Sequence, residues 1–548
     1  MKLLGQLTKG QRAEWIVWML FIGVLLFAMY VHEPWFDEIQ AWFIAQDAPW
    51  KDLLFVLPHY EGHPPFFHLL LAIPARLGIS GTLGLPLVGA LFSIASAYLI
   101  IFKSPFPRVA RLTLPFSYFL FYQYSVIVRP YNILVFLMCL LAVYFPQKDK
   151  RPGLFVGLLA ALCACHLYGI AIAGGIALAW LWEMKGPRTW KTYFCNLGRD
   201  RRFHWLLGLL GWAILLLVWI FPRPDTFAMG SEFQTTPLWQ RLIYLLFIMP
   251  ADAFITDIFF VDQRLSVFPL GNWLPLLSGV LVGLCVWGSL FVCLSKKARP
   301  FLYATYLGMS LILAYYMSQH HIGLAAVLLL FILWIGWKTP SKCPVYLKAF
   351  YALLLFVPLG WTSATLFSEA TQPQLSGKPL VDFLQTHQLQ DKRIFITWWQ
   401  VKPQDIPDTH KAVYPNGLTN THYLPLATTL NFYAPRNLFA NFNTATPYRY
   451  NMHQARTQAQ DEQTLQAWNQ GPLPDLFIGT DQLNTILQDR PEEKQNYAIV
   501  FRIEGHKKWK FDKTSKMFLP VYARLELLEP HHLAPQDTLF FYLQLIKG

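Results

Sequence analysis

The sequence predicts an α-helical polytopic membrane protein that ends in a smaller α/β domain. The chain has 548 residues, of which 54% are hydrophobic and only 14% are charged, whereas a soluble domain of ordinary composition carries about 25% charged residues. Uncharged apolar runs recur through the first two thirds of the chain, and most are close to the roughly 20 residues that cross a bilayer. They lie at 15–31, 83–102, 112–128, 131–145, 154–182, 205–221, 272–294, 300–317 and 322–336.

Basic residues give the chain a formal net charge of +13 and fall between the apolar runs. This is the positive-inside pattern of cytoplasmic loops, and it leaves no basic patch over for nucleic acid, so we exclude nucleic-acid binding. The groups are Lys2, Lys9 and Arg12; Lys103, Arg108 and Arg111; Lys148, Lys150 and Arg151; Lys185, Arg188, Lys191, Arg199, Arg201 and Arg202; Lys296, Lys297 and Arg299; and Lys338 and Lys342.

If all of these basic groups face the cytoplasm, the chain must cross the membrane an even number of times between any two of them. Two spans then fit into each of the stretches 112–145, 154–182 and 300–336, with turns near 128–131, 166–169 and 319–321. The segment 63–79 holds three prolines and an arginine and should not cross fully. The sequence thus predicts about eleven spans, a cytoplasmic N-terminus and an exported C-terminus.

The loops on the outer side differ in character. Residues 35–46 place apolar side chains at helical spacing, which predicts an interfacial amphipathic helix. Residues 222–271 read as a long outer loop in which Asp252, Asp257 and Asp262 are solvated.

The chain divides into a transmembrane domain at 1–367 and a soluble domain at 368–548, which we expect to be periplasmic. In the second part, β-type patterns and one amphipathic pattern predict an α/β fold. The expected strands are Arg393–Trp399, Leu476–Gly479, Ala498–Ile503 and Thr538–Ile546, and the expected helix is Pro379–Gln388.

The acidic pair Asp37-Glu38 follows the first span, where charge is costly to hold near lipid. A carboxylate in such a place suits removal of a proton from a hydroxyl. The crossing count brings further polar residues from distant segments to the same outer face, as a membrane active site requires. These are Glu61, His63, Arg129, His166, His320 and His321.

At these positions the sequence resembles the GT-C glycosyltransferases, close to the protein O-mannosyltransferase and aminoarabinose-transferase group. The likeness covers roughly residues 15–367 and is carried by short motifs. They are Asp37-Glu38, Gly62-His63-Pro64-Pro65-Phe66, Arg129-Pro130-Tyr131, His166-Leu167-Tyr168-Gly169 and Gln319-His320-His321. Many relatives carry an Arg-Leu-Pro-Ser stretch before the second span, whereas this chain has Gly84-Leu85-Pro86-Leu87, with Arg76 as a candidate substitute.

The resemblance implies an inverting transfer of a sugar from a polyprenyl-phosphate donor, with an Asp as general base. We assign Asp37 as the base, and Glu38 as the group that orients the acceptor or places a second negative charge near the oxocarbenium. Arg129, His320 and His321 are candidates for the donor phosphate, as is His63. Tyr131, His166 and Tyr168 complete the predicted donor site. No cofactor is required by this chemistry.

Each assignment has a simpler alternative. Asp37-Glu38 could be a solvated loop pair, Arg129 could extend to the membrane interface, and His320-His321 could be a polar end of a span. His166 beside Tyr168 could be a buried hydrogen-bonded pair, and His63 could cap its helix. Histidines and glutamates also gather within 32–68, but no zinc-binding signature such as His-Glu-x-x-His occurs, so we assign no metal.

Two other functions compete with glycosyl transfer. A transporter or lipid flippase would place ionisable groups near the middle of the membrane and show internal repeats, and a scaffold would leave the acidic pair without a role. For an enzyme, the expected partners are the lipid-linked donor, surrounding membrane lipids, and a lipid, glycan or protein acceptor. The expected location is the inner membrane of a bacterium.

Overall fold

The computed structural model describes most of the chain, and all structural statements below concern the described residues. These are 9–226, 237–255, 273–317, 319–338, 345–372, 375–396, 400–401, 418–419, 425–454, 471–479, 490–506 and 516–536, with isolated positions in 459–470.

α-Helices, most of them apolar, dominate the described residues up to Thr371. They are Lys9–Val31, Phe36–Asp47, Trp50–Phe55, Leu57–Glu61, Phe66–Arg76, Gly81–Lys103, Arg108–Thr113, Pro130–Tyr144, Pro152–Cys165, Leu167–Lys185, Trp190–Leu197, Arg201–Trp219, Leu238–Ile243, Met249–Ile255, Trp273–Cys293, Arg299–Tyr315, Ile322–Gly336 and Val345–Thr371. Within the part of the chain that the structure describes, seven helical stretches are long and apolar enough to cross a membrane. The chain is therefore an α-helical polytopic membrane protein, as the composition predicts.

The breaks between helices occur where the sequence places them. The stretch 152–185 is two helices, Pro152–Cys165 and Leu167–Lys185, separated by the extended residue His166. The late pair is separated by a 3₁₀ turn at Gln319–His321. Phe66–Arg76 has 11 residues, which at about 1.5 Å per residue is far shorter than the roughly 30 Å hydrocarbon core.

The run 112–128 is less regular than a predicted span. It begins as the α-helix Arg108–Thr113, tightens into a 3₁₀ turn at Leu114–Phe116 and continues as a π-helix at Phe119–Val126. Pro115 lacks the N–H that a continuous helix needs. The hydroxyl of Ser125 donates to the carbonyl of Leu120, 2.7 Å away and five residues back, which fits the wider π-type turn.

The prediction of an outer loop at 222–271 is wrong for residues 238–255. These residues form continuous helix through Leu238–Ile243, a π-type turn at Tyr244–Ile248 and Met249–Ile255. Asp252 is fully buried rather than solvated, and the hydroxyl of Tyr244 donates to it over 2.8 Å. The predicted roles of Asp257 and Asp262 lie outside the described residues.

The helix Phe36–Asp47, named the juxtamembrane helix from here on, is not an interfacial surface helix. Its apolar face is buried as the spacing predicts, but Glu38 and Gln40 on the other face are buried too. The helix Phe66–Arg76 packs on one side of it, and residues 425–454 from the C-terminal part cover it. Burial on both sides fixes the direction of this helix.

The described C-terminal part has the predicted α/β character. The elements are the strands β1 Ile394–Ile396, β2 Gln400–Val401, β3 Leu418–Thr419, β4 Leu476–Ile478, β5 Tyr497–His506 and β6 Lys516–Arg524, and the helices Lys378–Thr386 and Pro425–Leu430. Four of the strands form a sheet in the order β1-β4-β6-β5, in which β1 and β4 are parallel and the other pairs are antiparallel. The predicted strand Thr538–Ile546 lies outside the described residues.

The C-terminal part contributes to two separate cores. The sheet strands β1, β4, β5 and β6 and the helix Lys378–Thr386 surround one core. Phe432 and Tyr450, by contrast, are buried in the core of the helical bundle. Residues of the predicted soluble domain therefore pack directly on the transmembrane part.

Candidate active site

Asp37 and Arg129 form an ion pair at one end of the bundle. Asp37 lies in the first turn of the juxtamembrane helix, and Arg129 immediately precedes Pro130, which starts the next helix. The guanidinium Nη1 donates to Asp37 Oδ2. The Asp37 side chain is 37% exposed and that of Arg129 is 15% exposed, so the carboxylate is accessible to solvent while the guanidinium is mostly buried.

Glu38 faces the interior although it is the neighbour of Asp37. Its Oε1 accepts the backbone N–H of Val128 at 2.7 Å, and its Oε2 accepts the N–H of Trp35 at 2.9 Å. Oε2 also lies 3.0 Å from Nε2 of His32. Both carboxylate oxygens are thus engaged, which places Glu38 behind Arg129 as a group that holds the backbone on which Arg129 sits.

His32 lies between two carboxylates in a cluster that we name the buried triad: His32, Glu38 and Glu369. Nδ1 of His32 is 3.5 Å from Glu369 Oε2, and the hydroxyl of Tyr122 donates to Glu369 Oε1 over 2.5 Å. Burial lowers the pKa of His32, but Glu38 and Glu369 outweigh that effect and raise it to about 10. The triad links the end of the first long helix to the end of Val345–Thr371.

The predicted histidines meet in a second group, the histidine cluster, defined as His63, His166, His320 and His321. The ring centroids of His63 and His166 are 4.4 Å apart, and those of His320 and His321 are 4.1 Å apart. Tyr131 bridges the two pairs, with its hydroxyl 3.4 Å from His166 Nε2 and its ring 6.0 Å from that of His320.

Local sequence fixes these rings. His166 occupies the N-cap of Leu167–Lys185 and accepts the N–H of Tyr168 at 3.3 Å. The tyrosine ring stacks on His166 at 4.8 Å, and its hydroxyl lies 3.2 Å from His321 Nδ1. At Gly169 a Cβ would lie 2.1 Å from the carbonyl oxygen of Leu162, so the sharp break between the two helices requires glycine here.

Burial keeps the histidine cluster neutral near pH 7. It lowers the pKa of His63 to about 3, with Arg129 contributing a further decrease. Burial likewise lowers the pKa of His166, His320 and His321 well below the usual range. For Arg129 the effect of burial is outweighed by Asp37, and its pKa is raised. The cluster therefore offers hydrogen-bonding groups beside one permanent cation.

A third group borders Asp37 and was not assigned a role from the sequence. Glu61 Oε1 accepts from Gln40 Nε2 at 3.0 Å and lies 3.3 Å from Nδ1 of His453. His453 comes from the C-terminal part of the chain. His453 could not be predicted as a site residue, because no motif in the neighbouring sequence indicates that this segment packs against the helical bundle.

Arg76, the candidate substitute for the arginine found in relatives, is engaged elsewhere. It donates to the carbonyls of Ala45 and Ala48 at 3.0 and 2.6 Å, and it stacks on Trp50 at 3.7 Å. It closes the C-terminal end of the juxtamembrane helix. In the described residues, no group of three or more His, Cys, Asp or Glu is placed to hold a metal ion.

The structure brings all nine predicted site residues to one end of the bundle: Asp37, Glu38, His63, Arg129, Tyr131, His166, Tyr168, His320 and His321. Fold and site define a polytopic membrane protein with an acid–guanidinium pair beside a neutral histidine cluster.

Comparison with known proteins gives two similar solved structures. They are ArnT from Cupriavidus metallidurans bound to undecaprenyl phosphate and the same protein in the apo state. Each is 15% identical to this chain, with a TM-score of 0.40, over 94% of this chain and 98% of the other. No family model and no curated protein matches the chain.

Proposed function

We propose that the protein is an inverting glycosyltransferase that moves a sugar from a polyprenyl-phosphate donor to an acceptor hydroxyl at the outer face of the membrane. The observation that carries the proposal is the Asp37–Arg129 pair. The partly exposed carboxylate of Asp37 can act as a base. Arg129 and the neutral histidine cluster beside it can bind a phosphate. The sequence motifs that resemble the GT-C enzymes are the residues that form this arrangement.

Each step of the transfer can be assigned to one of these groups. Asp37 takes the proton of the acceptor hydroxyl, and the oxygen bonds to the anomeric carbon as its bond to the phosphate oxygen breaks. The lipid phosphate leaves with the electron pair toward Arg129, and the histidine cluster donates hydrogen bonds to it. Arg129 donates to Asp37, and a donor phosphate that binds the guanidinium would compete with this ion pair and free the carboxylate to act as base.

The opposite end of the bundle supports the proposed orientation. Arg111 pairs with Glu14 at 2.8 Å, and Lys148 pairs with Glu183 at 3.0 Å. These residues lie at the ends of the helices that are remote from His32, Arg129 and His166. By the positive-inside rule, that end faces the cytoplasm. The site and the C-terminal part then face the periplasm of a bacterial inner membrane, and the mechanism calls for no cofactor.

The decisive variant is Asp37→Asn in the purified full chain. Loss of a general base should lower transfer from undecaprenyl-phosphate sugars by about 10²–10⁴-fold, while undecaprenyl phosphate still binds. Glu33→Gln, in the short segment that precedes the juxtamembrane helix, serves as the matched control and should retain transfer. Flux of lipid-linked sugar across vesicles without a covalent product would instead identify a flippase. Full transfer by Asp37→Asn would overturn the assignment.

A further inference from the structure

We propose that Glu61 and His453 form a subsite for the hydroxyl groups of a sugar, so that the C-terminal part of the chain supplies one wall of the active site. This inference rests on the proposed glycosyl transfer. It adds a substrate-recognition role to a part of the chain for which the sequence indicates no function.

Hydrogen bonds and an ion pair fix the segment that carries His453 against the juxtamembrane helix. Gln40 Nε2 donates to the carbonyl of Asn451 at 2.6 Å, and the N–H of Asn451 donates to Gln40 Oε1 at 2.8 Å. Arg449 Nη2 lies 2.6 Å from Asp47 Oδ1. These contacts fix the backbone two residues before His453, and so fix where its imidazole can lie.

Gln40 contacts both the Asn451 backbone and the carboxylate of Glu61. The same amide nitrogen that bonds Asn451 also donates to Glu61 Oε1 at 3.0 Å. His453 Nδ1 lies 3.3 Å from that oxygen, and its ring centroid is 6.4 Å from the ring of Phe36, the neighbour of Asp37. The side chains of His453 and Glu61 are 19% and 10% exposed, so both are only partly buried.

The side of Asp37 that faces Glu61 is acidic, whereas the other side carries the cation Arg129, so the two sides favour different ligands. Burial raises the pKa of Glu61, and Asp37 and Arg129 are close enough to act on it as well. A phosphate would be repelled by two neighbouring carboxylates. A neutral sugar fits, because a carboxylate and an imidazole together accept and donate hydrogen bonds to hydroxyls, while Phe36 offers an apolar ring to its C–H face.

The test uses Glu61→Gln and His453→Gln in the purified full chain. Binding is compared between undecaprenyl phosphate and a panel of undecaprenyl-phosphate sugars that carry mannose, glucose or arabinose. Because a hydrogen bond to a charged group is lost, we expect each variant to weaken the best-bound sugar lipid by about tenfold. Affinity for the bare lipid phosphate should not change. Glu33→Gln is the control, since Glu33 bonds Tyr433 of the same C-terminal part at 2.7 Å.

A second measurement distinguishes the two sources of hydroxyls. Transfer at saturating donor is followed in membranes from cells that lack the protein and so retain unmodified acceptor. Weaker sugar-lipid binding assigns the subsite to the transferred sugar, and unchanged binding with a raised acceptor requirement assigns it to the acceptor. Both support the subsite. Unchanged values in both assays overturn it, even though Asp37→Asn is inactive. Failure of the unsubstituted protein to bind any lipid of the panel would overturn the glycosyltransferase proposal itself.

Discussion

Nε2 of His32 lies 3.0 Å from Oε2 of Glu38, and both side chains are almost fully buried. Glu38 in turn accepts the N–H of Val128, the residue before Arg129. Glu369 lies on the other side of the imidazole. Through these buried contacts, the end of the helix Val345–Thr371 is connected to the backbone next to Arg129, which pairs with Asp37.

His32→Gln should lower thermal stability and flatten its pH dependence. The folded-state pKa of His32 is about 10, against an ordinary 6.5. The protonated ring therefore contributes its full stabilisation below about pH 6.5, and this is lost as the pH rises through about 10. Removing one member of a buried ion pair costs about 3–5 kcal/mol. Unfolding of the purified protein followed between pH 6 and pH 10 measures both effects.

The matched comparisons are Glu369→Gln, which removes the second carboxylate, and Glu33→Gln, which removes an acid outside the triad. Glu369→Gln should lose part of the same pH dependence, whereas Glu33→Gln should retain all of it. If His32→Gln kept the parent slope across this pH range, the imidazole would not be the titrating group, and these buried contacts would lose their electrostatic basis.

Arg129→Lys should bind undecaprenyl phosphate about tenfold more weakly than the parent, since a lysine keeps the charge but loses the planar fork. Arg129→Gln should bind it more weakly still. The control is Arg76→Lys, because Arg76 is an exposed arginine that bonds the carbonyls of Ala45 and Ala48. That control should lose thermal stability with little change in lipid affinity. Equal affinity loss in Arg129→Lys and Arg76→Lys would point to a general structural effect.

Much of the helical fold could be predicted from the sequence, because apolar length and basic loops are local signals. The breaks at His166 and Gln319–His321 follow from the need for an even number of crossings, and the structure has both. The helix Leu238–Ile255 could not be recognised in the same way. Its Pro250 and Asp252 look like loop residues, and the hydroxyl of Tyr244, which donates to Asp252 at 2.8 Å, helps to offset the cost of burying that acid.

The site was predictable where its residues occur in short motifs, as for Asp37, Arg129 and His166. The role of Glu38 could not be read from the sequence, because the direction of a side chain in the first turn depends on what packs against the helix. Glu369 and His453 do not belong to any recognisable motif, and their partners are hundreds of positions away in the sequence. Their place in the site depends on long-range packing, for which a single sequence carries no pattern.

Gly84→Ala should destabilise the protein and disturb the juxtamembrane helix. A Cβ at Gly84 would lie 2.2 Å from the Trp42 ring, which is itself buried. Overpacking of this kind costs about 1–3 kcal/mol, and displacement of Trp42 would shift the helix that carries Asp37. Gly157→Ala is the matched control, because a Cβ there meets nothing within 4 Å. Melting temperature and transfer rate should both fall for Gly84→Ala and hold for Gly157→Ala; equal behaviour would contradict the close contact.

The contact between Asp47 and Arg449 should be a strong coupling between the C-terminal part and the bundle. Arg449 bonds both oxygens of Asp47, at 2.9 and 2.6 Å, and its guanidinium lies 4.3 Å from the centroid of the Phe43 ring. Asp47→Asn and Arg449→Gln should each lower stability, and the double variant should lose less than their sum, by about 0.5–3 kcal/mol. Because these residues hold the segment that carries His453, each single variant should also weaken sugar-lipid binding while leaving affinity for bare undecaprenyl phosphate unchanged. Strict additivity of the two substitutions would show that the pair does not join the two parts of the chain.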